Sequence, residues 1–479
     1  MSTTATNLYD LVDYPRRAYT QCHPDRLATL ARLFGLHAPA VDSCRVLEVG
    51  CGEGSNLIPA SVTLPRTAFV GVDLSERAIE RGCRTIGELG LRNVRLICRD
   101  LAAFENRAPF DYIIAHGVWS WVPAPVRDAL LERTRKLLAP SGVALISYNT
   151  YPGWYVRQIV REMALSAASG EEHPARQMMH AREFLAHVSE RVSGGETWIR
   201  LVREEINGIL ERPDGALFHD DLAEVNSALY FRDFVRRAAE HGLQYLSEAE
   251  PGGSLKDAPG ETRVDREQYA DMITGRRFRS TLLCHAAVRV GEEPNPAAVM
   301  DLHAAGPLTV IRRSGKNNIE YHSPRGGIAA KPAPLIRILL DRIAAAWPSF
   351  IPVRDLLPAG EFSNGEACAA LYACFAGKLI ELRTAPPHLP RALSEKPAAS
   401  PLARLQAARG ETVTNLHHFQ VNIDNDSLRR LLAILDGARD RAALIDEMSE
   451  LYPAAGRKTT IHAVDQHLAL LHESGVLSA

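Results

Sequence analysis

The fold is decided by one stretch of sequence, VLEVGCGEGS at residues 46–55. A short apolar run with β-branched residues ends in three alternating glycines, Gly50, Gly52 and Gly54. Glycine is needed where a turn requires a positive φ or where the backbone must come close to a ligand. The stretch therefore predicts a strand, a glycine-rich turn and a helix that begins near Ser55, with a ligand held against the turn.

Strands and helices alternate on both sides of this turn, with helices predicted from Ser75 and over 126–138. Two later strands rejoin the sheet after a helical insertion at about 155–218. This alternation predicts an α/β fold, a Rossmann-like doubly wound and mostly parallel sheet with helices on both faces. The seven predicted strands are 45–49, 68–72, 94–97, 110–114, 143–147, 243–247 and 281–290.

The last third of the chain has a different pattern. Helices at 335–347 and 366–377 precede a short strand at 379–383, and the Pro-rich segment 384–401 reads as a linker. Three more helices and a terminal Val-Leu pair complete a C-terminal α+β region that we expect to be winged-helix-like. The predicted domains are 1–292 for the sheet, 293–390 for a regulatory or winged-helix-like domain, and 400–479 for the tail.

Composition excludes several classes of protein. The 479 residues carry 55 Lys and Arg against 57 Asp and Glu, and this balance argues against a dedicated nucleic-acid binder. None of the eight cysteines has the spacing of a metal site, so they are expected to be small buried side chains in a cytoplasmic protein. No apolar run of membrane-spanning length occurs, and residues 1–10 lack an apolar signal core.

Three acidic residues lie near the carboxyl ends of strands in the predicted sheet, and together they identify a ligand. A dinucleotide fingerprint would need glycine at Ser55, which this sequence lacks. Glu48 can accept from an amine beside the turn, Asp73 can bind ribose hydroxyls, and Asp100 can reach an adenine amino group. An amine, a ribose and an adenine without phosphate describe S-adenosyl-L-methionine. The alternative is a Rossmann-like domain that binds a nucleotide in another way, or one that has lost its activity.

These motifs resemble those of class I S-adenosylmethionine-dependent methyltransferases, in which V-L-E-x-G-x-G-x-G is followed by V-G-x-D and by an Asp near the third strand. Segments 14–27, 114–123 and 147–154 are similar to bacterial methyltransferases with a methyltransferase regulatory domain, and to rickettsial protein lysine methyltransferases that modify an outer-membrane protein. The motifs and the resemblance together imply cofactor contacts from Tyr19, His23, Glu48, Gly50, Cys51, Gly52, Gly54, Asn56, Asp73, Leu74, Asp100, Leu101, His116 and Gly117.

The resemblance also implies that the segment with Tyr14, Tyr19 and His23 folds as a lid over the cofactor. The alternative is an N-terminal helix, starting at Pro24, that only packs against the sheet. Asn56 either helps to hold the methionine part of the cofactor or is an exposed helix residue.

Methyl transfer from a sulfonium requires alignment, a dry site and an unprotonated nucleophile. His116 follows the fourth strand, where the methyl should lie, and is the candidate catalytic residue as proton acceptor or substrate orienter. The alternative is that it contacts only cofactor or backbone. Aromatic faces attract sulfonium and ammonium groups, although such rings also pack loops onto a sheet edge. The predicted substrate-binding residues are Trp119, Trp121, Tyr148, Asn149, Tyr151 and Trp154.

The leading hypothesis is therefore an S-adenosylmethionine-dependent methyltransferase that N-methylates a lysine or other amine of a protein or peptide, as a monomer or homodimer. The same chemistry on a small molecule or biosynthetic peptide, and a non-catalytic S-adenosylmethionine sensor, are the alternatives. His417 and His418 are predicted to be structural rather than metal ligands, and the arginines at 429–430 and 439–441 to be solvated or protein-facing.

Overall fold

The computed structural model describes residues 10–191, 194, 196–252, 258–312, 319–357 and 362–478. The prediction for the N-terminus lies outside these residues except at Asp10.

A seven-stranded sheet forms the centre of the first part of the chain. Its strand order is β3-β2-β1-β4-β5-β7-β6, and β7 is antiparallel to both of its neighbours while the other strands run parallel. The Rossmann-like, mostly parallel sheet predicted from the sequence is confirmed. The strands are β1 (Arg45–Val49), β2 (Ala68–Asp73), β3 (Val94–Cys98), β4 (Phe110–Ala115), β5 (Leu138–Asn149), β6 (Leu243–Glu248) and β7 (Phe278–His285).

Ten helices accompany this sheet in the part of the chain that the structure describes. Capping side chains and glycines mark helix ends. Ser75 caps the third of them by accepting a hydrogen bond from Ala78, and Gly90 ends it in the left-handed conformation that glycine adopts without strain. The helices are α1 (Pro24–Leu33), α2 (Leu57–Thr63), α3 (Glu76–Leu89), α4 (Ala124–Leu137), α5 (Trp154–Ala168), α6 (Pro174–Arg191), α7 (Thr197–Leu210), α8 (Asp214–Ala216), α9 (Phe231–Glu240) and α10 (Arg263–Thr274).

Each face of the sheet has its own apolar core. One face packs against α4 and α9, through residues such as Leu131 and Phe234. The other face packs against α1 and continues without a break into residues 299–382. The inserted helices α5, α6 and α7 have a separate core around Val160 and Ile206. Burial on both faces explains why the strands read as continuous apolar runs.

The middle region, from 296 to 383, contains two small antiparallel sheets and three helices. Arg26 of α1 and Glu381 form an ion pair of 3.1 Å inside this region, with both side chains 3 % exposed. Its elements are β8 (His303–Ala305), β9 (Thr309–Arg312), β10 (Ile319–His322), β11 (Ile328–Ala330), β12 (Ile351–Pro352), β13 (Glu381–Arg383), α11 (Pro334–Ala346), α12 (Val353–Leu356) and α13 (Asn364–Ala376).

The tail has its own core of apolar side chains and ends in a strand paired with the linker. Arg439 of its surface pairs with Asp436 and Glu447, whereas Arg429 donates to backbone oxygens of Glu411 and Ile423. Its elements are α14 (Pro401–Ala408), α15 (Asp426–Ile434), α16 (Arg441–Leu451), α17 (Arg457–Glu473), β14 (Ala398–Ala399), β15 (Val413–Thr414), β16 (Gln420–Val421) and β17 (Leu477–Ser478).

Three local predictions differ from the structure. Strand β5 begins at Leu138, five residues before its predicted start at 143, and its pairing with β4 shifts register between Phe110 and Tyr112. Strand β7 starts at Phe278 and ends at His285, earlier than predicted. Cys83 and Cys98 are exposed, whereas the other six cysteines are buried, and all eight are free thiols.

Candidate functional site

A cleft of about 1070 Å³ opens at the carboxyl ends of β1 and β4, where the strand order reverses direction. Ligands of doubly wound sheets bind at such switch points. The cleft is lined by fifteen of the residues predicted from the sequence: Tyr19, Glu48, Gly50, Cys51, Gly52, Asn56, Asp73, Leu74, Asp100, Leu101, His116, Gly117, Trp121, Asn149 and Trp154.

The glycine turn after β1 has the geometry that requires glycine. Gly50 and Gly52 have φ values of 69° and 53°, and a Cβ on Gly50 would lie 2.6 Å from Val118. A Cβ on Gly52 would meet no protein atom within 4 Å. Gly54 also has a positive φ, but it lies against Ile58 and Leu96 and does not line the cleft. Its predicted cofactor contact is therefore replaced by a packing role.

Two predicted carboxylates brace the loops that carry them. Asp73, at the end of β2, accepts from the backbone N–H of Gly52 and of Ser75, both at 2.8 Å. Asp100, after β3, accepts from the N–H of Ala102 at 2.8 Å. Each oxygen keeps a lone pair beyond these bonds, so both carboxylates can still accept from a ligand in the cleft.

Glu48 is the most deeply placed acid of the cleft, with 3 % exposure. Burial raises its pKa to about 8. Oε1 accepts a hydrogen bond of 2.8 Å from Asn56, whereas Oε2 is buried without a hydrogen-bond partner among the described residues. A buried acceptor without a partner is costly, so this oxygen is suited to a cationic donor that enters the cleft.

His116 follows β4 and lies between two rings. Its centroid is 4.3 Å from that of Tyr19 and 5.8 Å from that of Phe278, which it meets edge-on. Removal from water lowers the pKa of His116 to about 4, so the ring is neutral at physiological pH. Nδ1 has no hydrogen-bond partner among the described residues. The ring is thus suited to accepting or orienting a hydrogen bond, and is too weakly basic to store a proton near pH 7.

Besides Gly54, four predicted site residues lie outside the cleft. Trp119 and Tyr148 are fully buried against Phe234, with ring centroids 5.1 and 4.1 Å away. Tyr151 stacks on Tyr155 at 4.2 Å. His23 is buried and caps α1 by accepting from the N–H of Asp25 at 3.2 Å. Packing and capping thus engage these four rings outside the lining of the cleft, and their contact with a ligand stays a prediction.

His417 and His418 contact different neighbours. His417 stacks on Trp347 at 4.3 Å, and His418 meets the ring of His23 edge-on at 5.1 Å. Within the described part of the chain, His, Cys, Asp and Glu form no group of three or more that could hold a metal ion.

One side of the cleft is formed by residues that were not predicted from the sequence. Phe278 pairs across the sheet with Asn149, and it lines the cleft. Beyond it lies a chain of ion pairs contributed mainly by the helical insertion. Glu205 bonds Arg157 at 2.9 Å and also Arg277, Arg157 bonds Asp221 at 2.8 Å, and Arg212 joins Asp221 to Asp220. The only sequence signal was the cluster of charges at 203–221.

Residues 10–19, here called the N-terminal strap, cross the mouth of the cleft. At one end, Asp10 accepts from the hydroxyl of Ser75 at 2.6 Å. At the other, the N–H of Tyr19 donates to Oδ1 of Asn56 at 2.7 Å. Gln420 of the tail donates to the backbone oxygen of Arg16 at 2.8 Å. The segment therefore lines the cleft and is held from both sides, whereas His23 begins the packed helix α1 at Pro24. The action of the strap as a lid over bound cofactor stays a prediction.

Comparisons with known proteins agree with this geometry. A family model described as a methyltransferase domain matches residues 47–144. The chain is 35% identical over 240 residues to the uncharacterized protein RP028 of Rickettsia prowazekii, of which it covers 96%. It also superposes on the structure of PKMT2 from Rickettsia typhi with a TM-score of 0.84 and 26% identity, covering 97% of this chain and 100% of that one. This chain belongs to the S-adenosylmethionine-dependent methyltransferases.

The methyltransferase is similar to the rickettsial PKMT proteins along most of its length. PKMT2 has also been solved in complex with AdoHcy, and that structure matches with a TM-score of 0.83. A further relative, the uncharacterized protein RP789 of R. prowazekii, is 36% identical over 301 residues, and the chain spans about half (54%) of its length.

Two further family models match the methyltransferase. A PKMT C-terminal winged helix domain matches residues 395–469. A predicted methyltransferase regulatory domain matches residues 213–285, which include β6 and β7 of the main sheet, whereas the sequence analysis attached that designation to 293–390. In the described ranges, no helix combines the length and the apolar character needed to cross a bilayer.

S-adenosyl-L-methionine is the cofactor, and the residues of the cleft fit it. The fit rests on the unpartnered Oε2 of Glu48 and on the side-chain-free turn at Gly50 and Gly52. An ammonium group suits the first, and a ligand in direct contact with the backbone suits the second.

Proposed function

We propose that this methyltransferase N-methylates an amine of a protein or peptide, with a lysine side chain as the best-fitting nucleophile. This proposal rests on the surroundings of His116. Its neutral ring lies between the rings of Tyr19 and Phe278, and its Nδ1 has no hydrogen-bond partner among the described residues. An amine needs such an acceptor, together with an apolar surrounding that favours its uncharged form.

In the proposed arrangement, Glu48 binds the amino group of the cofactor, Asp73 its ribose hydroxyls, and Asp100 its adenine amine. Gly50 and Gly52 let the ligand approach the backbone. The bound cofactor supplies an electrophilic methyl group on a sulfonium. The protein positions this methyl at the His116 end of the cleft, and the strap restricts the entry of water.

The substrate end of the cleft is formed by Trp154, Phe278 and His116. A lysine has an ordinary pKa near 10.4, and transfer into this apolar, aromatic surrounding lowers the pKa of its ammonium. The uncharged amine then donates a hydrogen bond to Nδ1 of His116, which orients its lone pair toward the methyl. Alignment of two bound reactants lowers the barrier by several kcal/mol, about 7 to 11 at most.

Two observations support a macromolecular substrate. The cleft, at about 1070 Å³, lies at the upper end of the usual range for ligand pockets, about 300 to 1,000 Å³, and leaves room for a second reactant beside a nucleoside. The exposed Glu204, which lines the cleft, offers a carboxylate to a cationic side chain. Similarity to PKMT2 and to the PKMT winged helix domain points in the same direction. A cytoplasmic location, a monomeric or homodimeric state and independence from nucleic acid remain predictions.

The test is methyl transfer from cofactor labelled on the methyl group into a bacterial lysate, separated into protein and small-molecule fractions. We expect label in protein, recovered as methyllysine after hydrolysis, and much less label with Asp73→Ala at the same subsaturating cofactor concentration. Label confined to small molecules would assign a small-molecule methyltransferase. Tight cofactor binding without transfer to either fraction would assign a sensor, and both results would overturn the proposal.

A further inference from the structure

Asn56 occupies an unusual position, because both ends of its amide are already used inside the protein. Its Nδ2 donates to Oε1 of Glu48 at 2.8 Å, and its Oδ1 accepts from the backbone N–H of Tyr19 at 2.7 Å. The side chain is buried, with 9 % exposure. Asn56 therefore has little capacity left for the methionine part of the cofactor, which was its expected partner, and instead joins the floor of the cleft to the strap.

The strap itself has few apolar anchors, so its position depends on polar contacts. Among the residues that the structure describes, Tyr14 and Leu11 of the strap are exposed, and Arg16 has a side-chain exposure of 45 %. Its polar contacts are spread along its length. They include the bonds of Asp10 and Tyr19 at its ends, that of His219 to the backbone oxygen of Val12 at 2.6 Å, and the ion pair of Arg81 with Asp13 at 3.1 Å. Segments held by a few exposed polar contacts open at low free-energy cost. The bond between Tyr19 and Asn56 is the contact that links this closure to the floor of the cleft.

We propose that Asn56 is a positioning residue that couples contact between the cofactor's amino group and Glu48 to closure of the N-terminal strap. The ammonium bound at Oε2 fixes the Glu48 carboxylate, the carboxylate fixes the Asn56 amide, and the amide holds the N–H of Tyr19. Tyr19 in turn lies against His116, so the closed strap also fixes the candidate catalytic ring. The inference rests on the proposed contact of Glu48 with the amino group, and is independent of the substrate.

Ligands with and without the amino acid part of the cofactor should differ in their effect on the strap. S-adenosylhomocysteine carries the amino group, whereas 5′-methylthioadenosine has the same nucleoside and a sulfur but no amino acid part. Both can occupy the adenine and ribose contacts at Asp73 and Asp100. Only the first can engage Glu48, so only the first should close the strap when each ligand is at saturation.

The experiment measures trypsin cleavage of the native full-length chain at Arg16 and Arg17, with each ligand at saturation. We expect S-adenosylhomocysteine to slow strap cleavage at least tenfold and 5′-methylthioadenosine to slow it less than twofold. Equal protection by the two ligands would overturn the proposal. Hydrogen exchange of the Tyr19 amide gives a second readout that does not require proteolysis.

The variants separate Asn56 from the rest of the site. Asn56→Leu and Asn56→Ala both lose the contacts with Tyr19 and with Glu48, and the first keeps about the volume of the native side chain. We expect both to lose the protection by S-adenosylhomocysteine at saturation. The matched control is Gln420→Ala, which removes the bond between tail and strap, and it should raise cleavage with and without ligand while keeping the tenfold ratio.

If either Asn56 variant keeps the wild-type ratio, Asn56 is not the coupling residue. Glu48→Gln keeps an oxygen that can accept from Asn56, so it serves as the second variant if the Asn56 substitutions unfold the chain. It should bind S-adenosylhomocysteine at least tenfold more weakly and lose protection at saturation. Wild-type affinity in this variant would remove Glu48 from the amine contact, a result distinct from failure of the Asn56 coupling.

Discussion

Oδ2 of Asp73 lies 2.8 Å from the backbone nitrogen of Gly52 and accepts its hydrogen bond, which ties the end of β2 to the glycine turn after β1. One carboxylate thus shapes the turn and also faces the cleft. Because it acts on both, its removal affects the ligand twice, through a lost direct contact and through a looser turn.

For Asp73→Ala we expect cofactor affinity to fall about 10- to 100-fold, since hydrogen bonds to a charged group contribute about 1.5 to 3 kcal/mol. Calorimetric titration with S-adenosylhomocysteine measures this change. The matched control is Asp111→Ala, which also loses a carboxylate bond to a backbone N–H, that of Arg45 at 2.8 Å, but lies outside the cleft lining. Unchanged affinity in Asp73→Ala would remove the ribose assignment.

The glycine turn allows a paired test of steric and conformational effects. Gly52→Ala and Gly90→Ala both place a side chain at a positive φ, 53° and 63°, which costs about 1 to 2 kcal/mol. Neither new Cβ meets a protein atom within 4 Å, but only Gly52 lines the cleft. We expect similar losses of thermal stability in the two variants, and a loss of cofactor affinity in Gly52→Ala alone. Equal affinities would show that no ligand approaches Gly52.

His116 should contribute to turnover more than to cofactor binding. In His116→Ala we expect kcat on the true substrate to fall at least tenfold, with cofactor affinity changed less than threefold. Because the pKa of His116 is lowered to about 4, any rise in rate between pH 5.5 and 7.5 belongs to another group, and the variant should keep the shape of the wild-type pH profile. A rise in rate centred near pH 6.5 that is present in the wild type and absent from the variant would contradict this role.

Cofactor binding should release a proton near neutral pH. The pKa of Glu48 is raised to about 8 by burial, so the free protein holds this carboxyl largely protonated at pH 7, whereas an ammonium ligand selects the carboxylate. Affinity should therefore rise as pH increases from 6 to 8. Calorimetry in buffers of different ionisation enthalpy measures the proton, and Glu48→Gln should abolish both effects. Proton uptake, or a pH-independent affinity, would contradict the assignment.

The stability of the folded protein at acid pH should depend on the protonation of His417. Burial lowers its pKa to about 3, so between pH 6.5 and 3 the unfolded chain binds a proton there that the folded chain does not, and stability falls as pH falls. The ring stacks on Trp347 and Phe350. In His417→Phe we expect a smaller drop in thermal midpoint between pH 7.5 and 5.5 than in the wild type. The exposed His388 gives the control, His388→Phe, which should keep the wild-type drop; the same drop in both variants would refute the prediction.

The strand ends were predictable because apolar runs, glycines and acids are local signals. Which neighbours face the cleft was not predictable from residue type. Tyr148 and Asn149 are adjacent on β5 and point to opposite faces, so Asn149 lines the cleft while Tyr148 stacks on Phe234. Phe278 could not be found, because its place depends on the antiparallel register that brings it opposite Asn149. The strap's anchors join residues up to about 400 positions apart, which no sequence pattern encodes.

The packing of helix α1 limits where the chain can be cut to obtain a folded fragment. Nine of its ten residues are buried, and it lies between one face of the main sheet and residues 299–382, with which it shares a continuous core. A fragment that ended near 292 would expose the apolar side of α1 that packs against residues 299–382, and such a patch favours aggregation. The smallest workable catalytic fragment must extend through Arg383. The tail has a core of its own, and is the natural unit to exchange between relatives when chimeric enzymes are built.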